Sequence, residues 1–592
     1  MVKTSRQIIT ITDLYKYIVG VVFLSFLVFQ LFLSTVLHSR YAAMAQYNKT
    51  QRVDVLPNRG IILDRNGVPL VKNVPSYSLV LYNKNAADYI QKHFPEILTN
   101  RGINWLEKVK YPLVLYNIDS NKAVQLKNID VDGLHLRQTW KRHYKYKYSY
   151  SHVLGYTSKV FFEDLQKDPT LKYNDIVGRD GIEAVYDKLL RGEHGEYVYE
   201  VNALGERLYE TPLFEVPKQD GANIYLSIND KWQQALYRAL GGIIERYRIK
   251  GGAAVILDVN TGFVVAMVSY PAFDSNKMAA GLNQKEYTRL VKNKRLPLFN
   301  RVTLAQAPPG STFKTIVAAA ALQEGAITES TVFYSPGVIY LSGGLPFQEY
   351  HKNRYGYLTV RDALMVSSNI FFCKTALRLG IEKLAKYAKD FGLGKPTGID
   401  MPAEASGRVP SPSEKIRLAR SGAWWLDPVW YPEGDTCNSA IGQGITLVTP
   451  LQLARVASII ANKGRVYRPQ LAYIIQKPQG QKQKQEPILE YKVPVSEHNL
   501  QVVAEGMRLS VAGPRAVIRN LADVPVHVAA KTGTAEYGVK TKEGYLTTHA
   551  WVMGFYPYES PQYAFAVFLE GGGLSLRASE VMREFLYEVY QK

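Results

Sequence analysis

The stretch APPGSTFKTIVAAAALQEG, residues 307–325, decides the fold of this 592-residue chain. A Pro-Pro-Gly turn leads into Ser311, which opens a predicted helix. The body of that helix, TIVAAAAL, is small and apolar on every side, and a helix without a polar face is buried. Gly325 is predicted to end it. The sequence therefore places a serine at the first turn of a buried helix.

Lys314 follows Ser311 by three residues, so the two side chains share one face of the first helical turn. A lysine buried at the positive end of a helix has a lowered pKa and can act as a base. Such a base would make the Ser311 hydroxyl nucleophilic. The pattern alone is weak, because S-x-x-K recurs by chance and a serine in this place often only caps the helix.

Two more motifs follow in order. Ser367-Ser368-Asn369 precedes an apolar helical run, IFFCKTALRL, and Lys531-Thr532-Gly533-Thr534 follows the strand-like run PVHVAA (525–530). A second strand-like run, HAWVMGFYP (549–557), comes after a short loop. The combination of S-x-x-K, S-x-N and K-T-G is the signature of class A β-lactamases and penicillin-binding proteins. Together the three motifs predict a serine acyl-transfer site.

The motifs supply the parts that acyl transfer needs. Ser367 is predicted to relay a proton between Lys314, Ser311 and a leaving amine, and the Asn369 amide to orient a substrate carbonyl.

The third motif is predicted to bind the substrate. Lys531 adds positive charge, Gly533 lets an inner strand approach the substrate backbone, and the hydroxyls of Thr532 and Thr534 hold a terminal carboxylate. The backbone N–H groups of Ser311 and Thr534 are predicted to form the oxyanion hole. No metal ligand set is predicted.

An apolar run near the start predicts a membrane anchor. The chain has no charged side chain from Tyr17 to Leu37, and about twenty residues span the hydrocarbon core of a bilayer. We expect a tail over 1–16, an uncleaved anchor over 17–38 and a stalk over 39–58. A cleaved signal peptide, with a small-x-small site at Ala43-Met44-Ala45, is the alternative. Basic residues flank both ends equally, so charge does not settle the orientation.

Composition indicates a globular protein, with 46% hydrophobic and 21% charged residues. Two cysteines exclude a disulfide-built scaffold. The net charge of +20 suits an anionic neighbour such as lipid headgroups or acidic wall polymers. The segment KRHYKYKYSYSH (141–152) could suggest a nucleic-acid platform, but an ordinary exposed strand is favoured, and no nucleic acid is expected as a partner. The polar run QKPQGQKQKQEP (476–487) is predicted to be a surface loop.

The remaining chain is predicted to form two domains. Short strands and helices run over 59–217, and longer units over 220–592 indicate one large mixed α/β domain. Within it, GAAVILDVNTGFVVAMVSY (252–270) predicts a hairpin of two buried strands.

With these motifs in place, the chain resembles a class B penicillin-binding protein, a monofunctional peptidoglycan D,D-transpeptidase. The resemblance extends over nearly the whole chain, through RGIILDRNG (59–67), HVLGY (152–156), GIE (181–183), LRG (190–192), LDVNTGFVVAMVSYPAFDSN (257–276), Asn300-Arg301, GQG (442–444) and Thr449-Pro450. WYPEGD (430–435) before IGQG resembles the elongation type, penicillin-binding protein 2, with the division type as the alternative. Some elongation-type relatives have a metal-site cysteine where this chain has Ser368, which puts such a metal in doubt here.

The resemblance implies an α/β (α+β) transpeptidase domain of the β-lactamase-like type on an elongated mixed α+β pedestal. It implies that Ser311 is acylated by D-Ala-D-Ala stem peptides, then deacylated by a neighbouring stem, and that β-lactams acylate it too. No cofactor is implied. The implied location is the cytoplasmic (inner) membrane, single-pass, with the N-terminus inside and the catalytic domain outside. The implied partners are a SEDS-type glycan polymerase and other membrane proteins of the elongation complex.

Three other activities use related parts. A β-lactamase needs a deacylating carboxylate, but Glu404 lies outside an E-x-x-L-N pattern and is predicted to be structural. A D,D-carboxypeptidase would give the same acyl-enzyme to water, and a β-lactam sensor would need several membrane spans. Cys373 is predicted to be a small buried hydrophobe; since the sequence gives no distance to Cys437, a disulfide between them stays open. His549 is predicted to be structural.

Overall fold

The computed structural model describes residues 11–33, 49–98, 113–118, 120–172, 175–202, 208–540 and 546–591. Its helices are α1 Ile11–Phe32, α2 Lys84–His93, α3 Ser120–Lys127, α4 Ser151–Leu154, α5 Phe162–Lys167, α6 Gly181–Val185, α7 Asp187–Arg191, α8 Asp230–Arg246, α9 Ser275–Ala280, α10 Gln284–Val291, α11 Arg301–Leu304, α12 Lys314–Gln323, α13 Val360–Val366, α14 Asn369–Leu379, α15 Ile381–Asp390, α16 Pro412–Arg420, α17 Pro432–Ala440, α18 Pro450–Ala461, α19 Glu497–Ala512 and α20 Leu576–Tyr590.

Its strands are β1 Thr50–Val55, β2 Ile62–Leu63, β3 Pro69–Leu81, β4 Leu113–Ile118, β5 Leu134–Tyr144, β6 Thr157–Lys159, β7 Ile176–Gly178, β8 Gly195–Glu200, β9 Phe214–Val216, β10 Asn223–Leu226, β11 Gly251–Asp258, β12 Val264–Tyr270, β13 Phe333–Ser335, β14 Val338–Tyr340, β15 Pro346–Gln348, β16 Gly356–Leu358, β17 Arg465–Tyr467, β18 Ala472–Gln476, β19 Lys482–Lys484, β20 Leu489–Lys492, β21 Ala529–Lys540, β22 Leu546–Tyr556 and β23 Tyr563–Glu570. Short 3-10 turns include Gly310–Phe313 and Tyr350–Lys352.

The chain divides into two compact units. One comprises residues 1–58 and 192–221 and contains α1 and the antiparallel sheet β1-β8-β9. The other comprises residues 59–191 and 222–592. Because residues 59–191 belong to the same compact unit as the C-terminal part, this division differs from the predicted domains 59–217 and 220–592, which stay a prediction.

Helix α1 has 22 residues and is long and apolar enough to cross a membrane, with a mean hydropathy of 1.9 over an 18-residue window. It begins at Ile11, six residues before the predicted start of the anchor and within the predicted tail. The extension is polar: Asp13 and Lys16 lie one turn apart and form an exposed ion pair. A helical backbone can therefore start in the polar flank, before the apolar run begins. The predicted end of the anchor, 34–38, and the alternative cleavage site lie outside the described residues.

A five-stranded antiparallel sheet, in the order β12-β11-β23-β22-β21, organises the C-terminal part. The hairpin predicted over 252–270 is confirmed as β11 and β12. Alternate residues of β11 face opposite sides, as a strand requires. Val255 packs in a hydrophobic cluster with residues of α12 and α18, whereas Ile256 packs in a second cluster with residues of α8 and α20. Helices thus cover both faces, so the central strands are continuously apolar.

Two of the segments that resemble family motifs before residue 192, RGIILDRNG and GIE, meet at a buried ion network. Arg59 and Arg142 both contact Glu183, at 2.8 and 2.7 Å. Arg142 also donates to the backbone carbonyl of Gly60 and to Asn73 Oδ1. A buried carboxylate is tolerated only when its partners satisfy it, since losing one leaves an uncompensated charge. Arg59 of one short motif and Glu183 of the other therefore depend on each other, although they are 124 residues apart in sequence.

Three local predictions need correction. Strand β21 begins only at Ala529: of the predicted strand residues before it, 525 and 526 form bends and 527 and 528 have no regular structure. The segment 141–152 is not one exposed strand: β5 ends at Tyr144, and both Tyr144 and Tyr150 are buried in the core. The run 476–487 is exposed as predicted, but it contains β19, which pairs with β18 in a hairpin.

Cys373 and Cys437 form a disulfide, which corrects the prediction of a small buried hydrophobe. The bond joins α14, which follows the second motif, to α17, which precedes the GQG segment. Phe347 and Ile370 pack around it. The cross-link therefore ties together two helices through cysteines that are 64 residues apart in sequence.

Loss of this disulfide should destabilise the C-terminal part. We expect the double variant Cys373→Ala/Cys437→Ala to lower the free energy of unfolding by about 2–4 kcal/mol, because the cross-link restricts the unfolded chain. Chemical denaturation of the full-length protein in detergent measures the change. A reducing agent should destabilise the wild type and leave the double variant unaffected; equal stability of the two proteins would contradict the prediction.

Candidate active site

The nucleophile motif lies where a 3-10 turn passes into a buried helix. Ser311 lies in the turn Gly310–Phe313 and is half-buried, and Lys314 is the first residue of α12. Every residue of α12 from Lys314 to Leu322 is buried, as the apolar sequence predicts. Fully burying a valine or isoleucine side chain contributes about 1.5–3 kcal/mol, so this helix is firmly anchored. The serine is thus presented at the exposed end of a rigid element.

The Lys314 amine is held by the second motif. Its Nζ donates to the backbone carbonyl of Ser367 at 2.7 Å and to Asn369 Oδ1 at 2.7 Å. Ser367 Oγ lies 3.4 Å away. Burial lowers the pKa of Lys314 from 10.5 to about 7, and the negative charge of Glu349 opposes that shift. At neutral pH the amine is therefore poised between its base and acid forms.

An unusual backbone turn makes this convergence possible. Helix α13 ends at Val366, and Ser367 takes the left-handed conformation with φ of 60°. Ser368 then caps α14 by accepting the N–H of Phe371, and Asn369 is the first helical residue. A non-glycine residue in the left-handed region costs free energy and is held there by its surroundings. The turn directs the Ser367 carbonyl and the Asn369 amide toward the same amine.

The third motif reaches the same point from β21. Lys531 Nζ donates to Ser367 Oγ at 2.8 Å, so one hydroxyl contacts both lysine amines. Burial, and after it the charge of Lys314, lowers the pKa of Lys531 well below its ordinary value. The predicted fixed positive charge of Lys531 therefore depends on what is bound, since a neighbouring anion would raise that pKa again.

Strand β21 passes directly against the nucleophile turn. A Cβ on Gly533 would lie 2.3 Å from the Pro309 carbonyl oxygen, and a Cβ on Gly310 would lie 2.6 Å from the Thr534 carbonyl oxygen. Only glycine permits this approach, which brings the backbone of Ser311 beside that of Thr534. Gln443 Nε2 donates to the Thr534 carbonyl at 3.0 Å and steadies the strand.

The structure brings together Lys314, Ser367, Asn369 and Lys531 by direct hydrogen bonds, with Ser311 on the adjoining turn. Within the described residues, no hydrogen bond joins Ser311 Oγ to Lys314. Catalytic contacts of this kind often tighten only when substrate binds. The sequence predicts that the Asn369 amide orients a substrate carbonyl. In the structure its Nδ2 donates to the Gln348 carbonyl at 3.0 Å.

Sequence reasoning overlooked Trp551 and Glu349. The Trp551 indole on β22 donates to the Pro308 carbonyl at 2.9 Å and holds the nucleophile turn against the sheet. Glu349 contacts the second motif from a segment 19–20 residues earlier in the chain. Neither residue lies in a motif, and only their position in space shows their connection to the site.

The two residues predicted to be structural have structural contacts. Glu404 accepts the N–H of Gly398 at 3.0 Å. His549 Nδ1 accepts the N–H of Gly571 at 3.1 Å, and burial lowers the pKa of His549 to about 4. A neutral imidazole that accepts a backbone N–H suits a packing role.

Comparison with known families agrees with this geometry. Residues 252–591 match the penicillin-binding protein transpeptidase domain, and residues 54–226 match the penicillin-binding protein dimerisation domain. The chain belongs to the class B penicillin-binding proteins, the transpeptidase family that combines these two domains.

Individual relatives and solved structures are similar to this chain over most of its length. Peptidoglycan D,D-transpeptidase MrdA of Escherichia coli strain K12 is 31% identical over 581 residues, which cover 92% of this chain and 88% of the relative. The penicillin-binding protein PBP2 of Helicobacter pylori, solved in complex with MreC, has a TM-score of 0.78 at 28% identity and covers 92% of this chain and 99% of its own. A chain of a peptidoglycan synthase complex that coordinates polymerization and crosslinking has a TM-score of 0.70 at 30% identity, covering 98% of both chains.

The close approach at Gly533 gives a test of the geometry. We expect Gly533→Ala to slow acylation by a fluorescent penicillin by about 10²-fold or more, because the new methyl group separates β21 from the nucleophile turn. Gel fluorescence of the full-length protein over time measures the rate. Gly434→Ala is the matched control, since its Cβ would lie 3.9 Å from the nearest atom. Wild-type labelling of Gly533→Ala would contradict the assignment.

Proposed function

We propose that this protein is an elongation-type peptidoglycan D,D-transpeptidase, which cross-links stem peptides through an acyl-enzyme on Ser311 and is acylated there by β-lactams. The observation that carries the proposal is the continuous hydrogen-bonded chain from Lys531 through Ser367 to Lys314 and Asn369, next to Ser311. Family membership and the similarity to MrdA support the same reaction.

The first half-reaction forms the acyl-enzyme. Neutral Lys314 takes the hydroxyl proton as Ser311 Oγ attacks the penultimate D-Ala carbonyl of a pentapeptide stem. The N–H groups of Ser311 and Thr534 stabilise the negative oxygen of the tetrahedral intermediate. Ser367, which contacts both amines, passes a proton to the leaving D-Ala nitrogen. The peptide bond breaks, and an ester to Ser311 remains.

The second half-reaction transfers the acyl group. A side-chain amine of a neighbouring stem attacks the ester, the new amide forms, and Ser311 regains its proton through Lys314. Lys531, Thr532 and Thr534 hold the terminal carboxylate of the donor stem in the first step. That carboxylate would raise the pKa of Lys531 and so restore its positive charge when the donor is bound.

The same proposal includes the domain arrangement and the location. Residues 59–217 would form the pedestal and 220–592 the transpeptidase domain, supported by family matches over 54–226 and 252–591. Helix α1 would anchor the chain in the cytoplasmic membrane, with the N-terminus inside and the catalytic part outside, where peptidoglycan lies. A SEDS-type polymerase and other elongation proteins would be its partners, as the similarity to chains solved with MreC and in a synthase complex suggests.

Intact-mass spectrometry tests the nucleophile. We expect full-length wild type exposed briefly to penicillin to gain one adduct that persists for hours, and Ser311→Ala to gain none, because the Ser367 hydroxyl, which also lies beside Lys314, is held between the two lysine amines and relays a proton. An adduct that disappears within seconds would instead favour a β-lactamase, with Glu404 as the next variant. Adduct formation on Ser311→Ala would contradict the assignment of the nucleophile.

The pH dependence tests the base. Lys314 is active only when neutral, so the acylation rate should be low in acid and rise through about pH 7, where its lowered pKa lies. Lys314→Arg should be slower by about 10²–10⁴-fold at every pH, because a guanidinium keeps its proton. Lys386→Arg, at a surface ion pair with Asp390, is the control. A wild-type rate that stays constant from acid to alkaline pH would contradict the role of Lys314.

A further inference from the structure

Glu349 is a buried carboxylate that faces the second motif from outside all three motifs. It follows β15 directly and is only 1% exposed. Its Oε1 accepts hydrogen bonds from Ser335 Oγ at 2.8 Å, from the N–H of Ile370 at 3.1 Å and from Ser368 Oγ. Its Oε2 accepts the N–H of Asn369. Four donors thus converge on one side chain.

These contacts satisfy the free N–H groups at the start of α14. The first N–H groups of a helix have no partner inside the helix, and their partial positive charge favours an anion. Glu349 accepts two of them, and Ser368 Oγ accepts the next, from Phe371. The carboxylate therefore holds the backbone turn that presents Asn369 to Lys314.

The segment that contains Glu349 orients the Asn369 side chain as well. The Gln348 carbonyl accepts from Asn369 Nδ2, which leaves Oδ1 directed at the Lys314 amine. The segment is itself fixed, because the Glu349 N–H donates to the Gly337 carbonyl and its carbonyl accepts from Lys352. Glu349 thus positions the backbone of Asn369, and its neighbour Gln348 positions the side chain.

Charge gives Glu349 a second effect. Two amines, Lys314 and Lys531, are buried in the site, and Glu349 is the carboxylate whose charge acts on Lys314. The charge of Glu349 also raises the pKa of Tyr355, after the larger effect of burial, and Arg515 contacts the Tyr355 carbonyl. An anion at this place favours the protonated form of the Lys314 amine.

From this geometry we propose that Glu349 is a positioning residue for acylation, which acts through Asn369 and Lys314 rather than by touching substrate. It fixes the Ser368-Asn369 turn by hydrogen bonds, and its negative charge offsets the buried lysine charge. The proposal rests on the proposed function, since it assigns a role within the acylation of Ser311.

The test uses the full-length protein in detergent and stopped-flow acylation by a fluorescent penicillin at varied concentration and pH. We expect Glu349→Gln to lower the limiting acylation rate by about 10–100-fold, as the loss of charged hydrogen bonds implies, with little change in the penicillin concentration that gives half the limiting rate. The pH range over which the acylation rate of this variant rises should move to lower pH, because removal of the anion lowers the pKa of Lys314 further. Glu349→Asp keeps the charge, so its acylation rate should rise over nearly the same pH range as in the wild type, while the limiting rate itself falls.

Glu433→Gln is the matched control, because Glu433 lies in the first turn of α17 and accepts the N–H of Ser342 at 2.6 Å. It should behave as wild type. If Glu349→Gln fails to fold, as thermal unfolding would show, Ser335→Ala removes one donor to the carboxylate and should slow acylation by about threefold.

Several results would overturn the proposal. One is a Glu349→Gln variant whose acylation rate and pH dependence equal those of the wild type. Another is an equal loss of rate in the Gln and Asp variants with the pH dependence unchanged, because that result indicates a purely structural role. Unchanged acylation of Ser335→Ala would also count against it. Failure of the wild type to form any Ser311 adduct is a different outcome, because it overturns the proposed function itself.

Discussion

The burial of the Lys314 amine is the constraint on which the rest of the site depends. A buried amine is costly unless hydrogen-bond acceptors surround it. Here the acceptors are the Ser367 carbonyl and Asn369 Oδ1, both from a turn that lies more than fifty residues further along the chain. That turn needs a left-handed serine and the capped start of α14. The Lys314 amine can therefore stay buried with its hydrogen bonds satisfied only because the second motif takes an otherwise unfavourable shape.

The sheet provides the complementary constraint from the other side. Strand β21 is paired along β22, and both run against the turn that carries Ser311. Glycines at 310 and 533 remove the side chains that would separate the two backbones, and Trp551 holds the turn by its indole N–H. The backbone of the turn that carries Ser311 therefore packs directly against the backbone of β21.

Helix α14 connects these features to the rest of the domain. Its first turn is held by the Glu349 carboxylate and by Ser368, and Cys373, one turn further on, is bound covalently to α17. From the end of α17 the chain continues into the segment containing Gln443, which contacts the third motif. Electrostatic, hydrogen-bonded and covalent restraints therefore all act on the element that presents Asn369.

Much of this protein was determined by sequence alone. The buried helix after Ser311, the β11–β12 hairpin and the apolar N-terminal helix follow from the local pattern of apolar residues, and the order of three motifs identifies the family. The tertiary structure decided the rest. The Cys373–Cys437 bond joins residues 64 apart, and Glu349 contacts the start of α14 across 20 residues; no local pattern specifies either distance. The lowered pKa of Lys531 likewise depends on burial and on the nearby Lys314, because desolvation is a property of everything packed around a group and not of its neighbours in sequence.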